Sequence, residues 1–255
     1  MALGIEDGVI RTVRRTLRGE ERYDFGERLL LPGGVDVHVH FRDPGMPRKE
    51  TFATGTEAAA CGGVTTVLDM PNTRPPAISP AALLEKRERA GRRAHVDFGL
   101  YGGLLRAEDV PRLAPHAHAF KVYLAESFGR LSPPPEALPD LVAALRDAPR
   151  RTAFHAEDPT ALRPRTERSL ADHDAARPDT AEATAIQNLR SWHRGGPVHV
   201  AHLSSRAGLE ALAGAPFSTE ATPMHLLLDA TAPVGPRGKV NPPLPTPADR
   251  RTWTV

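Results

Sequence analysis

The chain has 255 residues and a formal net charge of +2, a balance that gives no electrostatic basis for binding nucleic acid. The length accommodates one large domain or two small ones. A single cysteine, Cys61, excludes an internal disulfide framework, and no apolar run approaches the roughly 20 residues of a membrane-spanning helix. Together with an N-terminus that lacks a signal-peptide pattern, these features predict a cytoplasmic protein.

The first 32 residues differ in character from the rest of the chain. The segment DGVIRTV (7–13) and a segment ending in RLLLPG (28–33) have the composition of short strands. We expect them to pair antiparallel, so that residues 1–32 form a partial small β domain. Residues 33–255 are then expected to form a second, larger domain.

From residue 33 onwards, short runs rich in β-branched residues alternate with segments of helical composition. The predicted strands are VDVHV (35–39), VTTVLDM (64–70), VDFGLY (96–101), AFKVYL (119–124), RTAFH (151–155), PVHVAHL (197–203) and FSTEA (217–221). Helices are predicted between them, for example at 49–62, 79–91 and 180–193. This alternation indicates a parallel sheet covered by helices, and the lack of a GxGxxG fingerprint favours a (β/α)8 barrel over an open doubly wound sheet.

Unusual polar residues fall near the ends of these predicted strands, where a parallel barrel carries its functional side chains. His38 and His40 are two residues apart at the end of the first strand and therefore share one face. Lys121 lies within the fourth strand, His155 ends the fifth, and His202 lies near the end of the sixth. We interpret these residues as a metal cluster. The alternative is a set of unrelated buried histidines and a surface lysine that extends to solvent.

Several longer motifs support a more specific interpretation. They are LPGGVDVHVHFRDPG (31–45), KETFATGTEAAACGGVTTVLDMPNTRPP (49–76), FKVYLAESF (120–128), FHAED (154–158), VHVAHLSS (198–205) and KVNPPL (239–244). In order and spacing they resemble the dihydroorotases of the cyclic amidohydrolase superfamily, in the branch that uses a carboxylated lysine. Hydantoinases, dihydropyrimidinases and allantoinases share the HxH pair and the lysine but usually vary at the RDPG and PNT positions.

The resemblance implies a metal-dependent hydrolase with a binuclear zinc centre. His38 and His40 would bind one metal, His155 and His202 the other, and Lys121, carboxylated by carbon dioxide, would bridge the two. Neutral imidazole suits zinc, and a carbamate offers two oxygens where an ammonium between two dications would be repelled. Arginine could not take this place because its guanidinium stays protonated.

The resemblance also implies contacts with a substrate that carries a carboxylate. Arg42 and Asn72 would hold that carboxylate, since a guanidinium pairs well with a carboxylate. His40 would also lie at the substrate, and Asn241 would contact its ring. Considered alone, Asn72 is equally compatible with an Asx turn before TRPP.

Further residues receive weaker assignments. Ser127 and Phe128 fall where the resembling family has a loop that closes over the substrate. Glu220 and His225 lie near the seventh predicted strand and are candidates to join the site. No role is assigned to Glu157.

The implied reaction is the zinc-dependent, reversible hydrolysis of the cyclic amide of dihydroorotate to N-carbamoyl-aspartate, a step of pyrimidine biosynthesis. The resemblance places the general base on an aspartate of an eighth strand beyond Val255. We therefore expect no catalytic base in this chain, a barrel that lacks its eighth strand, and uncertain activity of the 255 residues alone. The expected partners are a small-molecule substrate and a further copy of the chain or another pyrimidine enzyme, with no nucleic acid or membrane.

Two alternatives stay open. A non-catalytic homologue that serves as a partner or scaffold would have no need of the metal histidines, Lys121 or the Arg42 and Asn72 pair. A related enzyme acting on hydantoins, dihydropyrimidines or allantoin would leave Arg42 without a substrate carboxylate.

Overall fold

The computed structural model describes residues 1–125 and 131–253, except for the side chain of Trp253. Ser127 and Phe128 therefore lie outside the described residues. The chain divides into two compact units, Met1–Pro32 and Gly33–Val255. In the part of the chain that is described, no helix has the length and apolarity needed to cross a membrane.

The first unit contains an antiparallel hairpin of β1 (Ala2–Glu6) and β2 (Val9–Arg14). The intervening Asp7 and Gly8 both have positive φ angles, 50° and 72°, as tight two-residue hairpin turns require. The prediction that β2 pairs with the segment ending at residue 33 is wrong, because residues 28–33 form no strand. The Asp-Gly turn reverses the chain directly after β1, so β2 pairs with β1 instead.

The second unit is an α/β structure built on a parallel sheet. Its strands are β3 (Gly34–Val39), β4 (Val64–Asp69), β5 (Asp97–Gly103), β6 (Ala119–Tyr123), β7 (Thr152–His155), β8 (Val198–Val200) and β9 (Ser218–Thr219). The α-helices are α1 (Phe52–Cys61), α2 (Pro80–Gly91), α3 (Asp109–Leu113), α4 (Leu138–Ala144), α5 (Leu170–Ala176), α6 (Asp179–Trp192), α7 (Arg206–Leu212), α8 (Pro223–Leu227) and α9 (Pro247–Arg250). Short 3₁₀ turns lie at Pro135–Ala137, Leu145–Asp147, Gly235–Gly238 and Arg251–Trp253.

The seven strands of this sheet follow one another in chain order, and every neighbouring pair is parallel. Within the described residues, β3 and β9 each pair on one side only. A contact between the two edges shows that the sheet is curled: His38 of β3 contacts Glu220, which directly follows β9 at the opposite edge. All carboxyl ends of the strands therefore face one common rim.

Helices and strands enclose a core of large apolar side chains. Phe120 and Phe154 from the sheet and Leu83 and Ile186 from the helices are completely buried. Serine and threonine caps begin several helices, as at Thr51 before α1, where the side chain accepts a hydrogen bond from a free backbone N–H. This packing fixes the strand ends that carry the polar residues.

The predicted strand 197–203 is longer than the observed β8, which ends at Val200. His202 has a φ of 42°, a left-handed conformation that no strand residue adopts. The chain thus leaves the sheet before this histidine, although the apolar pattern of residues 197–203 predicts that the strand continues.

Candidate metal centre

The first histidine pair consists of His38, in β3, and His40, just after it. Their Nε2 atoms lie 3.2 Å apart. The other ring nitrogen of each histidine faces an oxygen: Nδ1 of His38 contacts the carboxylate of Glu220, and Nδ1 of His40 lies 2.8 Å from Oδ1 of Asn72. These oxygens turn both Nε2 atoms towards one point.

The second histidine pair consists of His155, at the end of β7, and His202, beyond the end of β8. Nδ1 of His155 lies 3.1 Å from Nε2 of His202. On its outer side, Nε2 of His155 lies 2.5 Å from Oε2 of Glu157. The two pairs adjoin, since the rings of His38 and His202 have centroids 5.4 Å apart.

Lys121 lies on β6 with only 1% of its surface exposed. Its Nζ has no hydrogen-bond partner among the described residues and lies 5.2 Å from the centroid of the Tyr123 ring. Burial lowers the pKa of Lys121 to about 7, so a large share of the amine is neutral near physiological pH. A surface lysine extending to solvent is thereby excluded.

Electrostatics link Lys121 to both histidine pairs. Burial is the main reason why the pKa lies below its ordinary value in His38, His40, His155 and His202, and the charge of Lys121 acts in the same direction on all four. The imidazoles are therefore neutral, which is the form that binds metal. Among the described residues, a protonated Lys121 has no hydrogen-bond partner, and only the more distant Glu220 offsets its charge.

Whether these residues suit a metal depends on the whole donor set. Across the described ranges, no group of three or more His, Cys, Asp or Glu side chains is arranged to hold a metal ion. The histidines form two adjoining pairs, and the buried group within electrostatic reach of both pairs is an amine. A pair of metal ions therefore fits only if Lys121 becomes an anionic ligand, because an ammonium would repel them.

Arg42 directly follows the first histidine pair along the chain. Its φ is 60°, so that Arg42 and His202 both hold left-handed backbone conformations at the candidate centre. For residues other than glycine such conformations cost about 1–3 kcal/mol and cluster at functional sites. Nη1 of Arg42 lies 3.4 Å from the backbone oxygen of Asn72. The structure thus brings Arg42, Asn72 and His40 together.

Asn241 lies in a half-buried loop that two other histidines hold by its backbone. Nε2 of His173 donates to the carbonyl of Val240 at 2.8 Å, and Nε2 of His225 lies 3.2 Å from the carbonyl of Pro242. No side-chain hydrogen bond joins Asn241 to the two histidine pairs within the described residues. Of the weaker candidates, Glu220 contacts the first pair, whereas His225 supports the Asn241 loop.

A buried ion pair beneath the first histidine pair escaped sequence reasoning. Nζ of Lys86, on α2, lies 2.7 Å from Oδ2 of Asp69, and the other carboxylate oxygen of Asp69 accepts a hydrogen bond of 2.8 Å from the N–H of Phe41. The pair therefore anchors the backbone between His40 and Arg42. Its one sequence signal is that Lys86 is among only four lysines in an arginine-rich chain.

Buried carboxylates beneath the second histidine pair were missed as well. Glu157 contacts His155, and Glu182 of α6 accepts hydrogen bonds from the N–H groups of Ser204 and Ser205 at 3.0 and 2.9 Å. These serines directly follow the segment that carries His202. Nothing in the local sequence pattern marks either glutamate as buried.

Comparisons with known proteins were made by sequence and by fold. A dihydroorotase of Methanothermobacter thermautotrophicus is 38% identical over 97% of this chain and 60% of its own length. An allantoinase of Streptomyces avermitilis is 39% identical over 83% of this chain and 51% of its own length. The chain thus spans less than two thirds of the length of these curated relatives.

Among solved structures, an L-hydantoinase (dihydropyrimidinase) from Arthrobacter aurescens has a TM-score of 0.75 and 28% identity, covering 86% of this chain and 54% of its own. The model of the amidohydrolase family matches residues 29–171, which is more than half of the chain and includes the first histidine pair, Lys121 and His155. The chain belongs to the amidohydrolase family.

Proposed function

We propose that this chain carries the zinc centre and the substrate-carboxylate site of a dihydroorotase, which hydrolyses the cyclic amide of dihydroorotate reversibly to N-carbamoyl-aspartate. The carrying observation is the buried Lys121 amine, which has no hydrogen-bond partner among the described residues and lies within electrostatic reach of both histidine pairs. Archaeal relatives named dihydroorotase, which match nearly the whole chain, support this assignment. The seven-stranded sheet would form most of a (β/α)8 barrel.

The first histidine pair would hold one zinc ion and the second pair the other, with carboxylated Lys121 between them. When bound, the metals would supply hydroxide at neutral pH and polarise the carbonyl under attack. The chain itself contributes neutral imidazoles, because burial keeps the pKa of each histidine low. No described residue is assigned as the general base.

Carboxylation of Lys121 requires a neutral amine, and burial provides it by lowering the pKa to about 7. The amine nitrogen would attack the carbon of carbon dioxide: a carbon–nitrogen bond forms, one carbon–oxygen π bond opens to leave its electron pair on oxygen, and one proton leaves the nitrogen. The product would be an anion at a position where the ammonium has no hydrogen-bond partner among the described residues. Burial thus favours the neutral amine that reacts, whereas the anionic product would depend on the two metal ions to balance its charge.

Arg42 would bind the carboxylate of dihydroorotate, with help from the Asn72 amide. Oδ1 of Asn72 faces His40, so its NH₂ group is the part available to donate to a substrate. The same side chain then orients a metal ligand and contacts the substrate. Asn241 would contact the ring from its own loop.

A second candidate is a hydantoinase or allantoinase activity, which acts on cyclic amides that carry no ring carboxylate. The allantoinase relative and the hydantoinase fold both favour it. Against it stands the placement of Arg42 beside Asn72, because a guanidinium there suits a substrate carboxylate, which these cyclic amides do not carry.

The deciding experiment follows ring opening of dihydroorotate, hydantoin and allantoin by purified protein in zinc and bicarbonate, with the bound metal counted on the same sample. Turnover of dihydroorotate above the other two supports the proposal. Binding of zinc with turnover of hydantoin or allantoin alone assigns the second candidate. Binding of zinc with turnover of none of the three would show that the centre assembles without its general base, and failure to bind zinc refutes both candidates.

A further inference from the structure

Glu157 has no place in the reaction described above, yet it is almost completely buried beside the second histidine pair. It lies two residues after His155, and its Oε2 is 2.5 Å from Nε2 of that histidine. On its other side, Arg177 at the end of α5 forms a two-point contact, with Nε 3.0 Å from Oε1 and Nη2 2.5 Å from Oε2. A histidine, a carboxylate and a guanidinium thus form a continuous chain of contacts.

This chain of contacts determines where His155 carries its hydrogen. Arg177 contacts both carboxylate oxygens of Glu157, and because a guanidinium stays protonated, this two-point contact keeps the buried carboxylate ionised. An ionised carboxylate only accepts hydrogen bonds, so Nε2 of His155 must carry the hydrogen. In a neutral imidazole the lone pair is then on Nδ1, the nitrogen that faces His202.

We propose that Glu157, held by Arg177, is a positioning residue that fixes His155 in the tautomer with its Nδ1 lone pair directed at the metal centre. The inference rests on the proposed zinc centre. It adds a carboxylate–histidine support of the kind that orients metal ligands, at a residue for which the sequence offered no role. The guanidinium keeps the buried carboxylate charged and aligned.

The test substitutes Glu157→Gln, which keeps the shape but allows the side chain to donate as well as accept. When the amide NH₂ faces Nε2, His155 carries its hydrogen on Nδ1 and the metal side is blocked. Zinc affinity, measured by competition with a chelator, is expected to fall about 10- to 100-fold. Ring nitrogen shifts of isotope-labelled histidines in the metal-free protein should show a second tautomer.

Two controls separate positioning from general damage. Glu210→Gln removes an exposed carboxylate paired with Arg206 and should leave zinc affinity unchanged. If Glu157→Gln does not fold, the double substitution Glu157→Gln with Arg177→Met avoids an uncompensated buried charge and takes its place. Arg177→Lys keeps the charge but loses the two-point contact, and an intermediate affinity is expected.

Each outcome is decisive. Wild-type protein that binds zinc, with a folded Glu157→Gln variant of equal zinc affinity and unchanged tautomer, overturns the positioning role and leaves the proposed function intact. Wild-type protein that binds no zinc refutes the proposed centre itself. Weaker zinc binding with a changed His155 tautomer establishes the role.

Discussion

The two histidine pairs are equivalent in composition but are built in opposite ways. His38 and His40 belong to one strand end, and their spacing alone places them on one face. His155 and His202 come from two strands and are separated by 47 residues along the chain. Local backbone geometry is enough for the first pair, whereas only the completed sheet brings the second pair together.

The supports beneath the two pairs differ in the same manner. Beneath the first pair, the ion pair of Lys86 and Asp69 holds the backbone of the loop. Beneath the second pair, Glu157 holds a histidine ring directly and Glu182 holds the following backbone. A buried carboxylate therefore supports each half, but its partners differ. Beneath the first pair, Asp69 pairs with a lysine. Beneath the second pair, Glu157 pairs with an arginine, and Glu182 accepts hydrogen bonds from hydroxyl and N–H groups.

The largest effect is expected from Lys121→Met, which removes the group shared by both pairs. Activity should fall by about four orders of magnitude, since a binuclear centre contributes several kcal/mol to each of its roles. Stability should be retained, because the amine has no hydrogen-bond partner among the described residues. Steady-state kinetics and zinc content test this, with exposed Lys49→Met as the control. Full activity in Lys121→Met would contradict a bridging role.

Lys86→Met tests the support of the first pair alone. It leaves the Asp69 carboxylate buried and unpaired, and we expect a loss of about 3–5 kcal/mol in the free energy of unfolding. Urea denaturation measures this, and exposed Lys49→Met serves as the control. Adding Asp69→Asn should recover much of the loss by removing the unpaired charge. A single variant as stable as wild type would show that the ion pair supports nothing.

Arg42→Met sharpens the comparison at the substrate side of the first pair. The KM for dihydroorotate should rise about 100-fold, because a charge-assisted hydrogen bond contributes up to about 3 kcal/mol. Turnover of an uncharged cyclic amide should change little. Parallel kinetics on both substrates give the answer, with Arg48→Met in the same loop as the exposed control. Equal losses on both substrates would argue against carboxylate recognition.

The smallest expected effect is a pH-dependent change in the free energy of unfolding, caused by Glu182 beneath the second pair. Burial raises the pKa of Glu182 from 4.5 to about 7, with hydrogen bonds from Ser204 and Ser205 opposing the shift. The stability that it contributes is therefore complete below about pH 4.5 and is lost as the pH rises through about 7. Between about pH 5.5 and about pH 8, wild type should lose about 2 kcal/mol relative to Glu182→Gln. Denaturation at both pH values measures this, with exposed Glu57→Gln as the control. A stability difference between wild type and Glu182→Gln that is the same at both pH values would refute the prediction.

Much of the fold could be predicted because it depends on local pattern. The strand at 119–123 and the helix at 80–91 lie within a residue or two of their expected bounds. The spacing of apolar residues and the residues that end a helix are both read from a short stretch of sequence. The hairpin partner of β2 was missed because the Asp-Gly turn was not recognised as closing a two-residue loop. The end of β8 was also misplaced, because the left-handed turn at His202 depends on its surroundings.

The sequence by itself determined the residue types of the candidate centre: HxH on one strand, a lysine in an apolar run, and histidines near two later strand ends. Strand order and the shared rim follow from alternating strands and helices. Only the tertiary structure decided which ring nitrogens face each other, that Asn72 faces His40, and that Glu157 and Glu182 are buried supports. Those properties depend on contacts between residues distant in sequence, and periodicity along the chain carries no record of them.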